Sequence, residues 1–340
     1  MVRAFVSGCA GCALTGDERA FLAEAQPWGL ILFRRNVDDP EQVRRLTAEF
    51  REVTGRPDAP ILVDQEGGRV QRLRPPHWPA YPAAAAYAAL ADLDPAAALV
   101  AARLGGRLIA ADLHAVGITI DCAPVLDLPV QGSSDVVGDR AFGRTSDRVA
   151  ALARAFAEGL LAGGVLPVVK HMPGHGRAQV DSHHELPVVN VGLDVLKTAD
   201  FAPFRRLSDL PVGMSAHVIY TAVDETRPAT VSAAVVGDII RGEIGFGGLL
   251  LTDDLSMQAL SGGIGERAAA AFAAGCDIAL HCNGVIKEAR QVAAEAPILT
   301  GMAKTRAEAA LARLSPPQAF DREAGLAELA CLIGAAAKVA

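Results

Sequence analysis

The sequence lacks the features on which membrane, nucleic-acid-binding and disulfide-stabilised proteins depend. It contains no stretch of about twenty uncharged apolar residues, so we expect no membrane-spanning helix and no membrane partner. Basic residues occur at most in pairs and the net charge is −7, so we expect no nucleic-acid partner. The six cysteines are scattered through 340 residues, which is not the pattern of a disulfide framework.

Two features near the N-terminus suggest export or redox chemistry, and the surrounding sequence argues against both. The first 21 residues are rich in small side chains, but three glycines interrupt them and a continuous leucine-rich core is missing. Cys9 and Cys12 have the spacing of a redox pair, but they precede any segment that resembles a thioredoxin-like unit. We therefore expect a cytoplasmic protein.

Short apolar runs recur along the chain, and most of them end at a polar residue. They predict eight strands: Arg3–Val6, Gly29–Phe33, Pro60–Val63, Gly117–Ile120, Leu166–Val169, Pro211–Met214, Gly248–Leu251 and Asp277–Leu280. The runs are continuously apolar rather than alternating. This pattern indicates strands that are buried on both faces, as in a parallel sheet.

Helical patterns separate several of these strands. Asp39 followed by Pro40 is a capped helix start, and Ser146 begins a second amphipathic segment. Strands that alternate with helices form parallel sheets, and eight such units predict a (β/α)8 barrel. We expect a single domain over residues 1–340, with a long loop at Pro75–Pro82 and a C-terminal helical extension at Asp321–Val339.

A doubly wound sheet of the Rossmann type is the alternative fold. Such sheets that bind dinucleotides carry a GxGxxG motif after the first strand, and the sequence has none there. The GxxxxGK[ST] phosphate loop is also missing. Both absences favour the barrel.

The segment Lys170–His184 reads KHMPGHGRAQVDSHH and contains half of the eight histidines. One interpretation is a solvated surface loop. A second is a metal site, because five of its side chains are competent ligands: His171, His175, Asp181, His183 and His184. However, a ligand pair at HxxxH spacing needs a helix, and Pro173 and Gly174 make a helix improbable there.

A third interpretation of the same segment is acid–base chemistry. Asp181 and His183 share a side of the chain if Asp181-Ser182-His183 is extended. A carboxylate beside an imidazole fixes its tautomer and raises its basicity. Because free histidine titrates near pH 6.5, it can both donate and accept a proton near neutrality.

Four motifs at predicted strand ends occur in the same order as in a known enzyme family. They are DQEGGRVQR from Asp64, GDRAFG from Gly138, KHMPGHG with the following DSH, and TDDLSM from Thr252. Together they resemble glycoside hydrolase family 3, and more closely its β-N-acetylglucosaminidases, over about Gly29 to Asn283. Met172 departs from the pattern, which has an aromatic residue there; we expect this difference to affect loop packing and not the chemistry.

The resemblance implies a role for each matching residue. Asp253 corresponds to the nucleophile, His183 to the general acid/base and Asp181 to the residue that orients this histidine. The residues that correspond to those holding a terminal N-acetylglucosamine are Asp64, Arg72, Arg140, Lys170 and His171. Their chemistry agrees, because carboxylates accept from sugar hydroxyls and Arg and Lys supply fixed donors. No metal or other cofactor is implied.

The implied function is a retaining exo-β-N-acetylglucosaminidase that acts on peptidoglycan fragments (muropeptides), as a monomer. A histidine in place of the usual acid/base carboxylate repels an anionic acceptor less, so phosphorolysis on the same scaffold is one alternative. A metal-dependent barrel hydrolase and a non-catalytic sugar-binding protein are the others.

Overall fold

The computed structural model describes residues 1–182 and 185–337. In this part of the chain, eight parallel strands close into a barrel: β1 Arg3–Gly8, β2 Pro27–Leu32, β3 Ile61–Val63, β4 Ile120–Asp121, β5 Leu166–Met172, β6 Val212–Ser215, β7 Leu249–Asp254 and β8 Ile278–His281. Each strand pairs with its neighbours in sequence. β1 also pairs with β8, where Val6 lies opposite Leu280.

The predicted (β/α)8 barrel is therefore confirmed, and all eight predicted strands are present. The doubly wound alternative is wrong, because an open sheet has two edges and the pairing of β1 with β8 removes both. The strand bounds differ from the predicted ones. β5 continues to Met172, which pairs with Ser215, and β7 continues to Asp254, which pairs with Leu280. Polar residues at the cavity are thus held inside the strands as well as after them.

Helices surround the barrel: α1 Gly16–Ala25, α2 Pro40–Thr54, α3 Ala84–Leu93, α4 Pro95–Ala115, α5 Ser146–Ala162, α6 Leu193–Thr198, α7 Ala202–Arg206, α8 Ile264–Ala274, α9 Ile286–Glu295, α10 Gly301–Leu311 and α11 Arg322–Ala337. A π-helix at Val235–Glu243 follows β6. The predicted helix start at α2 is confirmed, since the Asp39 carboxylate accepts from the N–H of Gln42 at 2.8 Å. None of the helices in the described part of the chain is long and apolar enough to cross a membrane.

Two apolar layers explain why the strands are continuously apolar. Ala4 and Val6 of β1 face the barrel interior, whereas Phe5 between them belongs to the layer between barrel and helices. All three are almost completely buried. Burying one large apolar side chain stabilises the fold by about 1.5–3 kcal/mol, so a strand buried on both faces contributes on both sides.

The predicted C-terminal extension is the helix α11, which packs against α3 and α4. Arg322 at its start donates to Asp112 of α4 at 2.8 Å, and the hydroxyl of Tyr81 donates to the same carboxylate at 2.6 Å. Tyr81 lies in the long loop predicted at Pro75–Pro82, which contains no helix or strand. The extension is therefore tied to a loop at the carboxyl end of the barrel.

Candidate active site

A cavity of about 270 Å³ opens among the carboxyl ends of the barrel strands. Its polar lining comes from Asp64, Glu66, Arg72, Arg140, Lys170, His171, His175, Ser182, Asp253 and Asp254. Apolar side chains, among them Phe33, Met214 and Met257, complete the wall. Catalytic groups of (β/α)8 enzymes lie at this end of the barrel. Six of the eight predicted site residues line the cavity.

The five charged residues on one side of the cavity alternate in sign. The Lys170 Nζ lies 2.8 Å from Oδ1 of Asp64 and 2.7 Å from Oε1 of Glu66, and the Lys170 side chain is only 2% exposed. Arg72 donates to the other oxygen of Asp64 at 3.0 Å. Arg140 donates to both oxygens of Glu66 at 2.8 Å. We call this set, Arg72, Asp64, Lys170, Glu66 and Arg140, the charged row.

Each member of the charged row holds its neighbours in their ionised forms. Burial alone would raise the pKa of Asp64, but the opposing charges of Lys170 and Arg72 outweigh it and lower the pKa. Burial likewise opposes ionisation of Glu66, and Arg140 and Lys170 overcome it, so its pKa falls to about 2. The pKa of Lys170 is raised by the same two carboxylates, against burial. The row therefore presents fixed acceptors and donors at neutral pH.

Glu66 is a site residue that the sequence reasoning missed. It lies in a short antiparallel hairpin formed by Gln65–Gly67 and Val70–Gln71 directly after β3. Successive side chains of an extended segment point to opposite sides. Gln65 accordingly points away and accepts from the N–H groups of Arg72 and Leu73, while Asp64 and Glu66 face the cavity. The alternation of side chains in DQE could therefore have indicated that Glu66 lies on the same side as Asp64.

His171 is held by a second buried carboxylate that was also missed, Asp127. The Nδ1 of His171 lies 2.7 Å from Oδ2 of Asp127, and Oδ1 accepts from the backbone N–H groups of His171 and His175. Burial raises the pKa of Asp127, but His171 and His175 lower it to about 2. The sequence feature that could have indicated Asp127 is that it is the only charged residue in the apolar run from Ala123 to Leu128.

The two aspartates at the end of β7 differ in their surroundings. Oδ1 of Asp254 accepts from the N–H groups of Ser256 and Cys282 at 3.1 Å, and its Oδ2 accepts from the Ser256 hydroxyl at 2.5 Å. Three donors thus engage Asp254, two from Ser256 in its own loop and one from Cys282, directly after β8. Asp253 lines the cavity, and its Oδ1 accepts from the N–H of Asp254 at 2.8 Å.

His217 supports the same strand end from outside the cavity. Its Nε2 lies 3.0 Å from the carbonyl oxygen of Asp254, and its Nδ1 lies 2.8 Å from the hydroxyl of Thr230. A carbonyl oxygen only accepts, so Nε2 carries the proton. Burial lowers the pKa of His217, which keeps the ring neutral and leaves Nδ1 to accept from Thr230.

The remaining predicted residues belong to the loop after β5. Asp181 is half-buried, and its carbonyl oxygen accepts from the N–H of Glu185 at 3.0 Å. His183, the predicted acid/base residue, lies outside the described residues, as does His184. Met172 is fully buried in the layer between barrel and helices, which agrees with a role in packing.

The chain matches the glycosyl hydrolase family 3 N terminal domain over residues 5–315. A β-hexosaminidase of Aromatoleum aromaticum is 44% identical over 316 residues, which cover 92% of this chain and 87% of that protein. The crystal structure of NagZ from Neisseria gonorrhoeae in complex with N-trifluoroacetyl-D-glucosamine is 36% identical with a TM-score of 0.86, covering 98% of each chain. LpqI of M. tuberculosis is 30% identical with a TM-score of 0.75, covering 92% of each chain.

Proposed function

Because this chain belongs to glycosyl hydrolase family 3, we propose that it removes a terminal β-linked N-acetylglucosamine from peptidoglycan fragments with retention of configuration. It is a glycoside hydrolase of the β-hexosaminidase type, as its curated relatives are. The observation that carries the finer proposal is the charged row beside Asp253 in a cavity of about 270 Å³. Such a volume suits one sugar unit better than a long chain.

The charged row supports binding of a terminal sugar. Asp64 already accepts from Lys170 and Arg72, and each of its carboxylate oxygens has lone pairs left for sugar hydroxyl groups. Lys170 and Arg140 supply donors for hydroxyl and acetamido oxygens. Because ion pairs fix these groups beforehand, little side-chain freedom is lost when the sugar binds.

The proposed first step forms a covalent intermediate. Asp253 attacks the anomeric carbon, and the bond from this carbon to the leaving oxygen breaks. His183, oriented by Asp181, transfers its proton to that oxygen. In the second step His183 takes a proton from water, the water oxygen attacks the anomeric carbon, and Asp253 is released. The roles of Asp181 and His183 rest on the family motif.

A histidine in the acid/base position has a physical benefit. Two carboxylates about 5 Å apart, as in most retaining glycosidases, raise each other's pKa when both are charged. Asp64, Glu66 and Asp127 already place negative charge near this cavity, although cations or histidines pair with all three. A neutral imidazole in the second step adds no further anion next to the nucleophile.

The covalent step is tested by trapping the intermediate. A 2-acetamido-5-fluoro glycosyl donor should label the enzyme, and mass spectrometry of the digest should find the sugar on Asp253. Failure to trap any adduct, combined with strong inhibition by an oxazoline-mimicking thiazoline, would show that the substrate's own acetamido group is the nucleophile. Asp253 would then only polarise that group.

The finer substrate class is tested by comparing two disaccharides that share a terminal N-acetylglucosamine. A muropeptide-derived disaccharide should be cleaved with a higher kcat/KM than chitobiose. The reverse order would contradict the peptidoglycan assignment while leaving the glycosidase itself intact. Small, water-soluble fragments of this kind suit a cytoplasmic, monomeric enzyme.

Phosphorolysis is the second candidate, because a histidine acid/base tolerates an anionic acceptor. The test is turnover in phosphate buffer against turnover in a phosphate-free buffer of equal ionic strength. Hydrolysis predicts free N-acetylglucosamine at the same rate in both. Formation of N-acetylglucosamine 1-phosphate with a faster rate in phosphate would favour the phosphorylase.

A further inference from the structure

Ser182 lies between Asp181 and His183, the two residues to which we assign acid/base catalysis. Two separate segments of the chain contact Ser182. Its hydroxyl lies 3.2 Å from Nε2 of His175. Its carbonyl oxygen accepts from the N–H of Ala259, in the loop after β7, at 3.3 Å. Only 3% of Ser182 is exposed. The loop after β5 is thus fixed at this point to its own start and to the loop that follows the nucleophile.

His175 is itself placed by Asp127. The N–H of His175 donates to Oδ1 of Asp127 at 2.6 Å, and the other carboxylate oxygen binds His171. The next residue, Gly176, packs so closely on Leu128 that an added Cβ would lie 2.0 Å from the Leu128 carbonyl oxygen. A hydrogen bond from the N–H of Ser134 to the carbonyl of Ala178, at 2.8 Å, continues this contact.

We infer that Asp127, His175 and Ser182 form a positioning chain that sets the acid/base pair Asp181–His183 against the scissile bond. The inference rests on the proposed function, since it concerns the placement of that function's acid. It assigns no contact with the reacting atoms to the three residues. They act through the backbone on either side of Ser182.

The chemistry of His175 suits this role. Burial lowers its pKa to about 4, although the charge of Asp127 opposes the shift, so the ring is neutral at physiological pH. A neutral imidazole has one donor and one acceptor nitrogen, and the Ser182 hydroxyl complements either. A glutamine amide at position 175 can make the same bond to the hydroxyl, whereas an apolar leucine cannot.

His175 also lines the cavity, so contact with the sugar is the competing explanation. The two roles affect different kinetic quantities. A sugar contact is made with every substrate, and its loss weakens binding of N-acetylglucosamine itself. Misplacement of the acid matters most when the leaving group needs a proton, and it spares binding of the product.

The test measures kcat/KM of Ser182→Ala, His175→Leu and His175→Gln on aryl N-acetyl-β-glucosaminides whose leaving groups differ in pKa. On the poorest leaving group, Ser182→Ala and His175→Leu should lose about tenfold or more, a part of the 10²–10⁴-fold that general acid catalysis supplies. On the best leaving group the loss should be small. Inhibition by N-acetylglucosamine should be unchanged, and His175→Gln should recover much of the rate.

Thr54→Ala is the matched control, because it also removes a buried hydroxyl, one that donates to Phe50 within α2 at 2.9 Å. It should lower thermal stability without any dependence on the leaving group. If His175→Leu does not fold, Ser182→Ala alone decides. Equal losses on all leaving groups, or weaker binding of N-acetylglucosamine in step with the loss, would overturn the inference.

His183→Ala, measured in parallel, separates failure of this inference from failure of the proposed function. If His183→Ala shows the leaving-group dependence and Ser182→Ala does not, the positioning chain is refuted and the proposed function stands. If His183→Ala shows no such dependence, the acid/base assignment is refuted, and the positioning chain with it.

Discussion

Each residue of the charged row can keep its charge in a buried site because cations and carboxylates alternate along the row. Burying one unpaired charge is costly, and removing one partner of a buried ion pair leaves such a charge behind. Glu66 is the more buried of the two carboxylates, and both Arg140 and Lys170 pair with it. The row therefore contributes to stability as well as to the proposed sugar binding.

Glu66→Gln should lower the free energy of unfolding near neutral pH by about 3–5 kcal/mol, the cost of breaking a buried pair. The pKa of Glu66 is about 2 in the fold and 4.5 ordinarily, so its stabilisation is complete above 4.5 and is lost as pH falls towards 2. Urea unfolding between about pH 6 and pH 3 should thus show a shallower pH dependence in the variant. The exposed Glu308→Gln is the control, and an unchanged slope in Glu66→Gln would contradict the prediction.

The two aspartates of β7 should respond differently to amidation. Asp253→Asn should lower kcat by about 10⁴-fold or more, the scale of losing a covalent nucleophile. Asp254→Asn should keep most of the rate and lose about 1–3 kcal/mol of stability, because its partners are backbone N–H groups and Ser256. Steady-state kinetics and thermal unfolding of both variants check this, and an inverted order would mean that Asp254 is the nucleophile.

At the residue scale, the sequence predicted six side chains that line the cavity and missed the carboxylates of Glu66 and Asp127, which hold some of them. Asp64, Arg72, Arg140, Lys170, His171 and Asp253 were predicted because each follows a strand or lies in a family motif, and all six line the cavity. Asp127 has no motif, and its importance comes from three hydrogen bonds that only the folded chain creates. Long-range partners of this kind cannot be read from local spacing.

Among the elements, the loop after β5 packs closely against the segment after β4 at Gly176. Gly176→Ala should force it away from Leu128, because the added Cβ would lie 2.0 Å from a backbone oxygen. We expect a loss of about 1–3 kcal/mol in stability from overpacking. A displacement of about 1 Å at the acid/base pair would lower kcat by up to about 10²-fold.

Gly192→Ala is the control for this loop variant, because nothing lies within 4 Å of an added Cβ there and its φ is −61°. Its kcat and thermal stability should match those of the unsubstituted enzyme. Gly176→Ala with normal kcat would show that the loop accommodates the methyl group without moving the acid/base pair.

Prediction of the elements succeeded where local signals and tertiary structure agree. The helix start at Asp39 and the eight apolar runs were sufficient for the barrel. The strand bounds were less accurate, because hydrogen bonding to neighbours decides where a strand ends. β5 extends through polar Lys170 and His171 to pair with β6, and no property of those residues alone indicates it.

The whole molecule separates catalysis from stability between the two ends of the barrel. At the amino-terminal end, Asp277 precedes β8 and accepts from Arg241 at 2.7 Å, from Arg306 at 2.9 Å and from the N–H of Leu250 at 2.9 Å. This cluster around the buried Asp277 joins the π-helix, α10 and β7, and none of its members lines the cavity. Residues at this end of such barrels serve stability.

Asp277→Asn should therefore lower the free energy of unfolding by about 1–3 kcal/mol, because two partly buried guanidinium groups lose their counter-charge. At a temperature where the variant is folded, kcat and KM should equal those of the unsubstituted enzyme. Denaturant unfolding and steady-state kinetics on one preparation check both parts. A raised KM would show that the two ends of the barrel are coupled.

The pairing of β1 with β8 also sets the order in which the barrel can assemble. During synthesis β1 can pair with β2 early. Its second partner is β8, in which Ala279 lies opposite Phe5, and β8 is synthesised only when most of the chain has been made. Contacts so distant in sequence slow folding, because a long loop must close before they form. Until then one side of β1 remains an unpaired apolar edge, which invites association with other nascent chains. The closed ring that brings eight strand ends around one cavity thus leaves the pairing of the first strand incomplete until the last strand has been made.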